Sequence, residues 1–156
     1  KTTLLKTILG LLKPVSGELT KGDFLEVGYF AQEDAPSNSE TALDYIWNEY
    51  PAMTNAEVRA ALARCGLSNE HITSQMRVLS GGENAKVRLC KLMQKKYNVL
   101  VLDEPTNHLD IHAKDELARA LRDFKGTIVL VSHEPEFYES WITDIWNIED
   151  WTTKIV

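Results

Sequence analysis

Two adjacent carboxylates, Asp103 and Glu104, stand at the end of an unbroken apolar run, Val99-Leu100-Val101-Leu102. Such a run is what a parallel strand buried on both faces looks like in sequence. The carboxyl end of a strand in an open α/β sheet is where ligands bind. One carboxylate placed there can hold Mg²⁺, commonly through water, while its neighbour orients or deprotonates an attacking water. A second constellation, Leu79-Ser80-Gly81-Gly82-Glu83, comes earlier in the chain. Two glycines at the entrance to a helix let a phosphate approach free backbone N–H groups, and the helix dipole favours the anion. Each pattern also has an ordinary reading: a strand with a solvated acidic turn, and a Ser-capped helix with a flexible entry. Their succession, separated by one helix, shifts weight from the ordinary readings to the chemical ones.

These groups must be held by regular elements, and the periodicity supplies them. Residues 2–12 carry Leu4, Leu5, Ile8, Leu11 and Leu12 at helical spacing, and Pro14 stops the run. A strand is predicted at Leu25–Ala31, and the turn-rich residues 34–40 read as a loop. Helices are predicted over Thr41–Tyr50, over Thr54–Cys65 with a Thr54/Glu57 capping box and Gly66 as a stop, and from Ser80/Glu83 to about Lys96. A helix over 112–124, a buried strand at Thr127–Val131 and an edge strand near Asp144–Ile148 complete the pattern. Helices alternating with buried strands predict an α/β fold with a mainly parallel sheet, interrupted by a helical subdomain over about 39–97.

Composition narrows the classes further. The 156 residues, 44% apolar and 26% charged, suit one globular domain and exclude disordered and collagen-like classes. A net charge of −6 lacks the basic stripe of a protein that grips nucleic acid chiefly through phosphates. No stretch approaches the roughly 18 consecutive apolar residues of a membrane span, and the first residues lack a signal peptide's apolar core. Cys65 and Cys90 sit in helical segments without metal spacing and read as reduced core thiols of a cytoplasmic protein. Lys86, Arg88, Lys91, Lys95 and Lys96 read as a solvated helix face, and His108 and His112 lack a third ligand for zinc. Trp141, Trp146 and Trp151 are expected in core and edge packing.

The motifs in this order resemble the ATP-binding-cassette (ABC) ATPases over essentially the whole chain. Lys1-Thr2-Thr3-Leu4-Leu5 is similar to the end of a Walker A P-loop, Gln32 to the Q-loop, and Leu79–Glu83 to the family signature. Val99–Glu104 resembles Walker B, Asn107-His108-Leu109-Asp110 the D-loop, and His133 the switch histidine. The resemblance implies a P-loop-NTPase-like fold lacking its first strands, with ATP and Mg²⁺ as cofactors. It implies that Lys1 contacts the β- and γ-phosphates and that Thr2 and Thr3 also belong to the nucleotide-binding set. Thr2 would give its hydroxyl to Mg²⁺, which Asp103 positions and Gln32 senses together with the attacking water. Glu104 would be the catalytic base and His133 would hold the γ-phosphate. Ser80, Gly81 and Gly82 would face ATP bound by a second cassette, with Asp110 coupling the two sites.

The glycine-rich part of a P-loop, whose N–H groups would form the phosphate cradle, is absent from these residues. The 156 residues alone are therefore expected to bind ATP poorly and to hydrolyse essentially none. Thr106-Asn107-His108-Leu109-Asp110 is similar to the ABC-F class, whose proteins join two cassettes without a transmembrane domain. Those proteins act on the ribosome, in translation or antibiotic protection, which makes the ribosome the expected partner and gives no membrane insertion. Only 46 residues lie between Gln32 and Leu79, so the second cassette is the better match. The alternative is the ATPase subunit of a membrane transporter, with a transmembrane partner. A third reading is a binding module in which ATP acts only as a clamp.

Overall fold

The computed structural model describes residues 1–31 and 39–147. Three parallel strands, β1 (Val27–Phe30), β2 (Val99–Asp103) and β3 (Thr127–Val131), form one sheet in the order β1-β2-β3. The register sets Phe30 beside Leu102 and Asp103 beside Val131. The mixed α/β architecture with its parallel sheet is the one the alternation predicts. Leu100, Val101, Leu102 and Asp103 are buried, as a central parallel strand requires. β3 departs from expectation: Thr127 is exposed and the next four residues are half-buried. Among the described residues it pairs with β2 alone, and its core contacts come through Ile128 and Leu130.

Helix α1 (Thr2–Ile8) is shorter than its apolar spacing predicts. Gly10 adopts a left-handed φ of 75° and closes a Schellman motif, with Gly10 N–H donating to Thr7 and Leu11 N–H to Lys6. Leu11 and Leu12 consequently lie outside the helix and are exposed. Between β1 and β2 the chain forms α2 (Ala42–Trp47), α3 (Asn55–Arg64), α4 (Asn69–Thr73), a 3₁₀ turn at Met76–Val78 and α5 (Gly81–Leu92). Both expected capping boxes form, at Thr54/Glu57 and Ser80/Glu83. A third, Ser68/His71, opens α4.

These helices enclose a core of their own, with Ile46, Val58, Leu62, Ile72, Met76 and Val87 almost fully buried. A second cluster joins the sheet to α6 (Ile111–Asp123) and α7 (Pro135–Tyr138), through Phe30, Leu102, Ala113, Leu121 and Phe137. Helix α5 belongs to both, giving Val87 and Cys90 to the first cluster and Ala85 to the second. The Ser80–Gly82 turn at its N-terminus is thereby fixed relative to the sheet.

Helix α5 ends at Leu92, so Lys95 and Lys96 lie beyond it. Two of its basic residues, Arg88 and Lys91, are packed rather than part of a solvated face. Arg88 stacks 4.6 Å from the Phe30 ring centroid and donates to the Ala31 carbonyl. Lys91 pairs with Glu49 and sits 4.1 Å over Tyr45, and Lys95 pairs with Glu26 at 2.8 Å. Residues 144–147 form no strand, correcting the edge strand expected there; the remainder of that segment, with Trp151, lies outside the described residues. Trp141 packs edge-on against Phe137 at 5.8 Å, whereas Trp146 is exposed and departs from the expected packing. Among the described residues no helix is long and apolar enough to cross a membrane.

Candidate functional site

The cleft is built where the N-terminus of α1 meets the carboxyl ends of β2 and β3. Helix α1 points its N-terminus at the cleft, with Lys1 in the N-cap position and no side-chain cap hydrogen bond. β2 delivers Asp103 and Glu104, and β3 delivers His133 two residues past its end. Lys1, Thr2, Asp103, Glu104, Asn107, Val131, His133 and Glu134 line a cleft of about 320 Å³. Lys1 Nζ lies 3.3 Å from His133 Nδ1 and 3.4 Å from Nε2, joining positions 132 residues apart in sequence. His133 Nε2 lies 3.2 Å from Glu104 Oε1, within ion-pair range but without hydrogen-bond alignment.

The two carboxylates differ in setting. Asp103 is 1% exposed, and neither of its oxygens has a hydrogen-bond partner among the described residues. Burying a carboxylate without a partner is costly, so an orphaned buried pair of oxygens marks a place for a cation or a donor. Glu104 is 8% exposed and has a left-handed φ of 49°, which turns its side chain away from the direction a continuing strand would impose. His108 has a φ of 66°. A left-handed non-glycine residue costs on the order of 1–3 kcal/mol, and such strain concentrates at functional turns. Thr106, buried between them, also lacks a partner for its hydroxyl among the described residues.

The donor set suits a hard divalent ion. Mg²⁺ takes one or two carboxylates, a hydroxyl, waters and substrate phosphates rather than an all-protein cage. Among the described residues no three His, Cys, Asp or Glu converge into such a cage, including around His108 and His112, where His112 pairs with Glu116 at 3.5 Å. Asp103 with Thr2 on the facing helix end therefore fits Mg²⁺, and the Lys1 ammonium lies in the same cleft.

The sequence-predicted residues divide into two places. Lys1, Thr2, Asp103, Glu104 and His133 meet in the cleft. Thr3 is exposed on α1, outside the cleft lining, with its carbonyl accepting from Thr7. Gln32 lies outside the described residues. Ser80, Gly81 and Gly82 stand at the N-terminus of α5, also outside the cleft lining. Ser80 accepts from the Glu83 N–H at 3.3 Å, and the Glu83 carboxylate accepts from the Ser80 N–H at 2.8 Å. Donation to the carboxylate by the Ser80 N–H and then by the Ser80 side chain, with His71 3.2 Å away, holds the Glu83 carboxyl below its ordinary range. Asp110 caps α6 by accepting from the Ala113 N–H at 2.8 Å, which lowers its carboxyl pKa too.

The glycines have a structural duty besides any approach by phosphate. A Cβ on Gly81 would lie 2.9 Å from the His108 side chain, and one on Gly82 would lie 2.7 Å from the His108 carbonyl oxygen. Asn107 and Glu134 are cleft residues that reasoning from sequence did not assign. Glu134 is held by Lys114 at 2.6 Å; its adjacency to His133 was the signal available.

Comparison with known proteins places this geometry in context. The ABC transporter family profile matches residues 1–107. The uncharacterized ABC transporter ATP-binding protein YfmM of Bacillus subtilis is 54% identical over 156 residues, covering 100% of this chain and 30% of its own length. ABC transporter F family member 2 of Arabidopsis thaliana is 36% identical over 153 residues, covering 96% of this chain and 23% of its own. A solved ATP-binding cassette dimer in a post-hydrolysis state, bound to ADP and Pi, superposes with a TM-score of 0.69 at 20% identity, covering 87% of this chain and 71% of that one. The chain thus spans less than a third of the length of these two curated relatives.

Proposed function

This chain belongs to the ABC transporter family of ATP-binding domains, and from that premise we propose that it forms part of the second cassette of a two-cassette ABC-F ATPase that works on the ribosome. The observation that carries the ATPase reading is the convergence of Lys1, Thr2, Asp103, Glu104 and His133 on one cleft. Lys1 binds the β- and γ-phosphate oxygens as a point charge. Asp103 and the Thr2 hydroxyl would hold Mg²⁺, which would supply neutralisation of phosphate charge. Glu104 takes the proton from the attacking water, and His133, within reach of Glu104, steadies the γ-phosphate. Gln32, by the family resemblance, would sense the metal and the attacking water.

Ser80, Gly81 and Gly82 lie away from that cleft, which supports a role on nucleotide held by a partner cassette. Exposed Asp110, at the start of α6, contributes to coupling across the same interface. The ABC-F placement is supported by the Thr106–Asp110 sequence and by an ABC-F protein among the relatives. On this reading the full-length protein closes its cassettes around two MgATP, and hydrolysis reopens them in the cytoplasm during translation or antibiotic protection.

Ribosome co-sedimentation tests the proposal, using full-length protein with Glu104→Gln and the matching change in its other cassette. Removing the base traps the ATP-bound population without removing nucleotide binding. ATP-dependent recovery with ribosomes is expected. Nucleotide binding with no ribosome association would instead favour the ATPase subunit of a membrane transporter.

A further inference from the structure

The His133 side chain is 72% exposed, so little packing holds the imidazole and its place depends on the backbone to either side. Toward β3 that backbone is anchored, since the Glu104 N–H donates to the Val131 carbonyl at 2.9 Å. On the other side stands Glu134, the residue that opens α7. A single helical turn such as α7 is not stable by itself, so tertiary contacts must place it. Phe137 supplies one by packing in the cluster that holds Ala113 and Leu121 of α6. Glu134 supplies another, closer to the imidazole. Its N–H donates to Ser132 Oγ at 3.1 Å and its carbonyl accepts from the Phe137 N–H at 3.0 Å. Its carboxylate crosses to α6 and accepts from Lys114 Nζ at 2.6 Å. Both side chains are partly buried, and a charge-assisted bond of this kind is about twice as strong as a neutral one.

We propose that Lys114 is a positioning residue for His133: by holding the Glu134 carboxylate it fixes the segment that carries the imidazole beside Lys1 and Glu104. The inference rests on the reading of the cleft as an ATPase site. Glu134 lines the cleft and Lys114 does not, so Lys114 acts through Glu134 and touches no nucleotide. Partners one step removed from a reacting group commonly set its orientation in this way. Arg at position 114 would keep both charge and hydrogen bond, whereas Met would keep only the aliphatic stem.

Two measurements on the full-length protein test it. The first is ATP hydrolysis by Lys114→Met and Lys114→Arg, each with His133 intact and with His133→Ala. With His133 intact, Lys114→Met should lower kcat about tenfold and leave the KM for ATP within about twofold, while Lys114→Arg keeps kcat within about threefold. In the His133→Ala background the same Lys114→Met change should cost less than about twofold, because its effect passes through the imidazole. An unchanged kcat, an equal loss in both backgrounds, or a loss confined to KM would overturn the proposal. The second is hydrogen exchange of residues 132–138. Lys114→Met should speed it about tenfold and Lys114→Arg should restore it, with β2 and residues 115–123 unchanged. Exchange at 132–138 indifferent to Lys114→Met would also overturn it. If the unsubstituted protein hydrolyses no ATP, the ATPase reading fails, and the exchange experiment alone decides whether Lys114 holds the His133 segment.

Discussion

Gly126 precedes β3 and lies against the start of β2 so closely that a single methyl group cannot be inserted. A Cβ there would lie 2.3 Å from the Asn98 carbonyl oxygen and 2.6 Å from the Phe124 ring. The oxygen is backbone, and it accepts the Thr127 N–H at 2.9 Å, the bond that begins the β2–β3 ladder. Asn98 cannot yield freely, because its side chain accepts from Glu26 N–H at 2.9 Å and donates to the Phe24 carbonyl at 2.8 Å. Gly126→Ala must therefore displace backbone by about 1 Å to restore an ordinary contact. Losing the Thr127 bond costs about 1 kcal/mol and overpacking about 1–3 kcal/mol, offset by about 0.4–1 kcal/mol from a stiffer unfolded chain. The net loss is about 1–3.6 kcal/mol, a roughly 5- to 400-fold drop in exchange protection of the β2 and β3 amides. Hydrogen exchange with mass spectrometry reads this locally, with Gly22→Ala as the control, since a Cβ there meets only a Leu25 methyl at 3.9 Å. Protection in Gly126→Ala matching that control would refute the close approach and the packing argument built on it.

Two further outcomes follow from local chemistry. Cys65 is half-buried and its thiolate accepts a hydrogen bond from the Cys90 thiol, which lowers its pKa; the same contact and burial push Cys90 well up. Alkylation at neutral pH should modify Cys65 about tenfold faster than Cys90, read by peptide mass spectrometry. Glu83 is held below its unfolded value of 4.5 mainly by the Ser80 N–H. Its stabilisation of the signature turn is thus present above that value and lost as pH falls through the lower folded value. NMR titration of the Gly81–Asn84 amides should show this acid transition, and Glu83→Gln should abolish it.

Much of the scaffold was legible because it depends on local rules. The Thr54/Glu57 and Ser80/Glu83 boxes are complete sequence signals, and the Val99–Leu102 run had one sensible interpretation as a buried strand. Helix α4 was not legible, because His71 fills the position where Glu or Gln would announce a capping box. Helix α7 is a single turn opened by Pro135, too short for periodicity to register. Two basic residues of α5 were misread because nothing local reveals that Arg88 meets Phe30 or that Lys91 meets Glu49. The cleft follows the same division. Asp103 and Glu104 stood out from their own strand, whereas the meeting of Lys1 with His133 came only through resemblance to a family. The contact of His108 with Gly81 and Gly82 depends on tertiary packing that no spacing rule encodes.

The central claim is that Glu104 is the base of an ATP-hydrolysing cleft, and the most direct measurement is single-turnover ATP hydrolysis beside equilibrium MgATP binding, in full-length protein with and without Glu104→Gln. A positioned general base contributes about 10²- to 10⁴-fold, so hydrolysis should fall by that factor while nucleotide affinity stays within about threefold. Hydrolysis undiminished in Glu104→Gln, or nucleotide binding lost along with it, would contradict the account.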